Sequence, residues 1–370
     1  MTATVVVVGG GYGGIAVAQS LDADADVVLI DPKDAFVHNV AALRAVVDPT
    51  WADQMFFPYE TLLKNGRVVR DWVVSVDRWG VRLASGVSIN ADYIVLATGT
   101  TYSFPAKVDE LQSSAAKMRY HVLTQALYGS GRVLLLGGGP VGVELAGEIK
   151  TMWPDKDVTI LEPAADILSR SFVKGFKRDL AANMRAELHR QLEAMGVQVI
   201  LGSSLSHQLP TVAGEARTFT ATTWGGRKIT ADIWFRCFGR QPASGMLSSG
   251  ISKARRPDGY LSVTNELRLP RQETIFSIGD VAATDGIDSA VVAMEQAEVV
   301  ANNIRALIND KSAALQSYEA TQPIFLVPLG PKGGVSYSPD VGLLDAETTA
   351  MYKGNDLFTG KYREIFGLTD

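Results

Sequence analysis

Short apolar runs that end in glycine recur along this 370-residue chain, and each predicts a buried parallel strand leading into a tight turn. Val5-Val6-Val7-Val8 leads into Gly9-Gly10-Gly11-Tyr12-Gly13-Gly14, and Val133-Leu134-Leu135-Leu136 leads into Gly137-Gly138-Gly139-Pro140-Val141-Gly142. Behind each glycine run the pattern predicts a helix and then a second apolar strand ending in an acid, Val27-Val28-Leu29-Ile30-Asp31 in one case and Val158-Thr159-Ile160-Leu161-Glu162 in the other. Shorter alternating strands around residues 68–76 and 81–83 lead to Ala91-Asp92-Tyr93-Ile94-Val95-Leu96-Ala97-Thr98-Gly99. The second half repeats the plan, with strands near residues 197–201, 218–223 and 227–229 before Ala231-Asp232-Ile233-Trp234-Phe235-Arg236-Cys237-Phe238-Gly239. Two copies of one α/β nucleotide-binding unit are predicted.

The second copy ends in a turn-rich stretch holding Pro242, Gly245, Gly250 and Arg256-Pro257-Asp258-Gly259. A buried strand follows, ending in Ile278-Gly279-Asp280-Val281. From residue 289 to 308 apolar positions recur at three and four, predicting a helix capped by Asp288 or Ser289. A Pro- and Gly-rich segment beginning at Pro323 and a short helix over residues 356–366 predict a small α+β unit at the end.

Both glycine runs have the form G-x-G-x-x-G. Pyrophosphate must lie against unpaired N–H groups at a helix N-terminus, where a side chain would hold it away, so glycine is required. The acid closing each unit accepts hydrogen bonds from a ribose diol, and at Glu162 it would also repel a 2′-phosphate, favouring NADH over NADPH. The chain is therefore expected to hold two dinucleotides.

A net charge of -5 provides no basic surplus for nucleic acid, and none is expected as a partner. The single cysteine, Cys237, excludes a Cys-x-x-Cys redox pair and reads as a packed residue or a reactive thiol. His121, His189 and His207 share no ligand spacing, so no metal is assigned. The first residues lack the basic region of a secretory signal, and Thr2 stands where N-myristoylation needs glycine. No apolar stretch approaches the ~20 residues of a spanning helix. A cytoplasmic protein is expected, with a peripheral membrane contact open, and with monomer and homodimer both open.

Together the two fingerprints, Ala97-Thr98-Gly99, Gly239-Arg240-Gln241-Pro242 and Gly279-Asp280 resemble the two-dinucleotide-binding-domain flavoproteins. More specifically, Phe36-Val37-His38-Asn39-Val40-Ala41-Ala42-Leu43-Arg44-Ala45 and Met351-Tyr352-Lys353-Gly354-Asn355-Asp356-Leu357-Phe358 resemble the ferroptosis suppressor branch, which is similar to type II NADH dehydrogenases. The resemblance implies an FAD-binding domain of residues 1–115 and 265–318, with an NAD(P)H-binding domain of residues 116–264 inserted in it. A C-terminal domain of residues 319–370 completes the chain. It implies FAD on Gly9, Gly11, Gly13, Gly14 and Asp31, with Ala97, Thr98, Gly99, Asp280 and Val281 around it and the backbone of Val74 at the adenine. NADH would lie on Gly137, Gly139, Pro140, Val141, Gly142, Glu162 and Gly239, and the activity implied is that of an NAD(P)H:quinone oxidoreductase.

The same resemblance nominates four catalytic candidates. Glu144 matches an acid near the nicotinamide and reads equally as a first-turn acid favoured by the helix dipole. His38 lies where the family approaches the isoalloxazine, as a buffer of quinol protons or as a structural hydrogen-bonder. Lys353 would stand near the flavin edge and Phe358 would line the quinone approach, or the two are a solvated lysine and a core phenylalanine. Arg44 is expected to neutralise an FAD phosphate and Lys33 to reach the adenosine end, unless both are solvated, and Glu148 and Lys150 read as helix-surface charges. The terminal stripe of Leu357, Phe358, Tyr362, Ile365 and Phe366 would pack on its own domain or rest on a bilayer where quinones dissolve. Two further readings stand beside the quinone reductase. One is a reductase serving a ferredoxin-like protein; the other is an NADH-responsive signalling protein like apoptosis-inducing factor.

Overall fold

The computed structural model describes residues 2–168, 178–320 and 324–368; Pro323, where the Pro- and Gly-rich segment was expected to begin, lies outside them. Five parallel strands form the first sheet, in the order Ile275–Ser277, Tyr93–Leu96, Thr4–Val8, Asp26–Ile30 and Arg67–Val69. Four parallel strands form the second, in the order Val197–Ile200, Asp157–Leu161, Arg132–Leu136 and Ile233–Arg236. Val5, Val6, Val7, Leu134 and Leu135 at the sheet centres are fully buried, because layers cover both faces and leave no side to be polar. The first sheet is completed by a strand that follows the whole second sheet in sequence, so the second unit is inserted in the first.

The region near residues 68–76 is two strands. Arg67–Val69 joins the parallel sheet, whereas Val73–Asp77 pairs with Gly80–Leu83 in a separate antiparallel sheet. Its counterpart in the second unit is the hairpin of Phe219–Thr222 with Lys228–Ala231. Two short strands, Thr100–Thr101 and Gln241–Pro242, pair antiparallel where the units meet.

Helix Tyr12–Leu21 packs against helix Ala290–Asn309, whose Ser289 cap accepts from Val292 N at 3.2 Å. At the C-terminus, strands Phe325–Leu329, Gly333–Ser338 and Gly342–Leu344 form an antiparallel sheet. The first of these lies on helix Pro140–Met152, so close that a Cβ at Gly147 would come within 2.5 Å of Leu329 Cα. Beyond the sheet come helix Ala346–Thr349, a π-turn at Ala350–Gly354 and helix Thr359–Ile365. Leu357, Tyr362 and Phe366 are buried, and the latter two join Phe36 and Phe57 in an aromatic cluster. The terminal stripe therefore faces its own protein, while Met351 and Tyr352 of the π-turn are exposed. Among the described residues no helix is long and apolar enough to cross a membrane.

Candidate functional site

The two fingerprints fold into the same device. Gly9 and Gly137 hold φ of +101° and +112°, and each following helix starts close enough that a Cβ on Gly14 or Gly142 would lie 1.8 or 2.0 Å from the carbonyl oxygen of that first glycine. A Cβ on Gly13 would press on Ala293 O at 3.1 Å. Gly11 and Gly139 are different, since a Cβ on either meets no protein atom within 4 Å. Their glycines keep space clear in front of the helix N-terminus rather than serving the chain's own packing. The acids close both devices alike. Asp31 accepts from Gly10 N at 2.7 Å and Lys33 N at 2.9 Å; Glu162 accepts from Gly138 N at 2.6 Å and Ala164 N at 2.8 Å. Burial pushes the Asp31 carboxyl up against these bonds.

A cavity of about 550 Å³ runs along the first device. Gly9, Gly11, Gly13, Asp31, Lys33, Ala97, Thr98, Gly99 and Asp280 line it, together with Ser289 and Ala290 at the start of the long helix. Asp280 accepts from Thr100 Oγ1 at 2.9 Å and pairs with Lys107 Nζ at 3.3 Å. Asn39 also lines the cavity, and its Oδ1 is buried without a partner. An open glycine cradle, an acid at one end and an orphaned amide oxygen fit a bound dinucleotide such as FAD.

Several expected residues lie elsewhere. Val281 is buried behind Asp280, and Val74 is exposed outside the cavity, whose wall there is Trp72 and Val73. Lys33 lines the cavity but its ammonium donates to Val108 O, and burial pulls it below the usual lysine range. Arg44 is not at a phosphate: it is buried and donates to both carboxylate oxygens of Glu148. Glu148 and Lys150 are likewise buried rather than on the surface, Lys150 donating to the carbonyls of Pro154 and Lys156. Around the second device, Pro140 opens the helix, Val141 packs on the core and Gly239 holds φ of +98° beside open space.

His38 is fully buried. Its Nε2 lies 2.6 Å from the Leu357 carbonyl, which can only accept, so the proton sits on Nε2 and Nδ1 accepts from Tyr12 Oη at 3.1 Å. Burial pushes the imidazole down to about 4, which favours the structural hydrogen-bonding reading of His38 over the buffering of quinol protons. Lys353 and Glu144 are brought together, with Nζ at 3.0 and 3.1 Å from the two carboxylate oxygens and 3.2 Å from Leu326 O. Burial raises the Glu144 carboxyl and the ammonium opposes it. Phe358 is half-buried with φ of +64°, its N–H donating to Asp356 Oδ1.

Sequence reasoning passed over Tyr12, Tyr59, Asn39 and Lys107. Tyr59 Oη donates to Gly10 O from beneath the first turn, and Tyr12 Oη accepts from Val40 N. Only Tyr12 carried a signal, as an aromatic residue at a variable fingerprint position.

Residues 3–297 match the model of the pyridine nucleotide-disulphide oxidoreductases. The chain belongs to this family. Within it, the chain is 31% identical to human ferroptosis suppressor protein 1 over 96% of its own length and 93% of the relative's, which places it in the ferroptosis suppressor branch. Its fold is shared with NDH2 from Plasmodium falciparum in complex with NADH (TM-score 0.74, 12% identity, covering 100% of this chain and 97% of the other). The sulfide:quinone oxidoreductase of Aquifex aeolicus also shares it (TM-score 0.73, 18% identity, 100% and 96%). The chain is thus an FAD-dependent oxidoreductase. It departs from the disulphide in the family's description, for Cys237 is its one cysteine, buried, with its thiol pushed up to about 12 by burial.

Proposed function

We propose that this protein is an FAD-dependent NAD(P)H:quinone oxidoreductase that takes reducing equivalents from NADH in preference to NADPH and delivers two electrons to a ubiquinone- or naphthoquinone-type acceptor. The observation carrying this reading is two cradles, open at Gly11 and Gly139, in a chain without a second cysteine. A dithiol relay is unavailable, so the acceptor must be served without one. FAD, when bound, supplies the redox chemistry, receiving a hydride from the nicotinamide and passing two electrons onward.

The chain's own part is orientation and electrostatics. Gly9, Gly11 and the start of helix Tyr12–Leu21 would hold the FAD pyrophosphate, with Asp31 toward the ribose. The N-terminus of helix Ala290–Asn309 borders the same cavity and favours negative charge there. Gly139 and helix Pro140–Met152 would hold NADH, and the Glu162 carboxylate disfavours a 2′-phosphate. Lys353, beside Glu144 on that helix, is a cation at the meeting of the nucleotide unit and the C-terminal segment, suited to an anionic quinol oxygen. Quinones with long tails reside in bilayers, and the exposed Met351, Tyr352 and Val341 support peripheral contact through the C-terminal unit.

The test is anaerobic NADH oxidation by the purified flavoprotein with and without menadione or a short-chain ubiquinone. Rapid quinone-dependent turnover is expected. Flavin bleaching by NADH that quinone does not reverse would overturn the acceptor assignment and favour a ferredoxin-like protein partner.

A further inference from the structure

Helix Pro140–Met152 carries two glutamates one turn apart, Glu144 and Glu148, and each is engaged by a cation tied to the C-terminal segment. Glu144 receives Lys353. Glu148 receives Arg44, through Nε at 3.1 Å to both oxygens and Nη2 at 2.9 Å to Oε1. The remaining arm of the guanidinium, Nη1, donates to Gly354 O at 2.6 Å and Asn355 O at 3.1 Å, the two carbonyls directly after Lys353. Arg44 also lies 5.0 Å over the Trp51 ring, and its side chain and that of Glu148 are each only 6% exposed.

The segment held in this way is not one that would hold itself. Ala350–Gly354 is a π-turn, and Leu357 and Phe358 adopt φ of +52° and +64°, a region non-glycine residues seldom enter. Such a conformation persists only where surrounding contacts dictate it. A buried ion pair, moreover, contributes little net stability once desolvation is counted, so stability alone gives Arg44 and Glu148 no reason to be ionic. A planar fork that meets a carboxylate with one edge and two carbonyls with another provides geometry that a lysine cannot.

We propose that Arg44, working with Glu148, is a positioning residue for the reaction: it fixes the backbone after Lys353 onto the nucleotide-binding helix and so sets the ammonium against Glu144. This rests on the reading of Lys353 as part of the reaction centre. Arg44 itself need touch neither cofactor nor substrate.

The experiment compares the Arg44→Lys holoenzyme, alone and combined with Lys353→Met, by steady-state kinetics and by amide hydrogen exchange. Arg44→Lys is expected to lower quinone-dependent kcat about tenfold with the KM for NADH changed by less than about twofold. Exchange over residues 350–358 should accelerate while strand Thr4–Val8 stays protected. In the Lys353→Met background the same change should cost less than about twofold more, since its effect passes through Lys353. Losses that multiply independently, or exchange over 350–358 that does not change, would overturn the proposal. A wild-type protein without quinone turnover would sink the functional reading instead, leaving hydrogen exchange to decide the role of Arg44. If Arg44→Lys does not fold, Glu148→Gln provides the same comparison, with a smaller acceleration over 350–358 supporting the clamp and none refuting it.

Discussion

Lys353 and Glu144 approach to 3.0 Å although 209 positions separate them in the chain, one on a C-terminal π-turn and the other in helix Pro140–Met152. Both side chains are largely shielded, at 14% and 13% exposure. Removing the ammonium leaves a carboxylate that burial already raises without its main counterweight. Lys353→Met should therefore move the acid limb of the turnover profile to higher pH, and destabilise the fold by about 3–5 kcal/mol. The double variant Lys353→Met/Glu144→Gln should recover much of that stability while remaining slow. Melting temperatures and pH–rate profiles of the three proteins check both statements.

In the proposed function Glu162 disfavours a 2′-phosphate by charge and by shape, its carboxylate held by Gly138 N and Ala164 N. Glu162→Ala should narrow the ratio of kcat/KM for NADH over NADPH by about tenfold, which corresponds to about 1.4 kcal/mol. An unchanged ratio would remove Glu162 from that role.

Gly11 and Gly14 separate cofactor binding from folding. A methyl group at Gly11 meets only open space, whereas one at Gly14 would lie 1.8 Å from Gly9 O. Gly11→Ala should give a folded, soluble protein depleted of FAD, read from the ratio of flavin to protein absorbance. Gly14→Ala should fail to accumulate as folded protein. Gly139→Ala, facing open space at the second cradle, should retain FAD and raise the KM for NADH.

His38 makes the fold acid-sensitive. Its imidazole titrates at about 4 in the folded chain against 6.5 for a free histidine, because burial disfavours the cation. The stability tied to the neutral ring is complete above pH 6.5 and is lost as pH falls toward 4, by about 3 kcal/mol in total. His38→Gln has no such proton to gain. The difference in denaturation midpoint between wild type and His38→Gln should therefore shrink as pH is lowered from 7.5 to 4.5, and parallel curves would contradict this account.

The parallel sheets and both fingerprints were legible in the sequence because their determinants are local: an apolar run, a glycine turn and an acid at fixed order. The charges on the second fingerprint helix were not. Glu148 and Lys150 have the spacing of a solvated face, yet both are covered, one by Arg44 more than a hundred positions earlier and the other by the turn that follows its own helix. Arg44 is itself divided between Glu148 and carbonyls near the C-terminus, a geometry no local pattern encodes. Lys107 was passed over for the same reason, as its partners Thr100 and Asp280 meet only in the folded chain.

Where the two nucleotide units meet, Thr100–Thr101 pairs with Gln241–Pro242, Ala243 N donates to Gly99 O, and Thr98 Oγ1 donates to Ala243 O at 2.6 Å. These are the two connections by which the chain enters and leaves the inserted unit. Laced together, they act as a truss rather than as a pair of independent tethers, and swinging one cradle away from the other would require the lacing to open. The placement of one cradle against the other is in this way carried by backbone hydrogen bonds rather than by side chains alone.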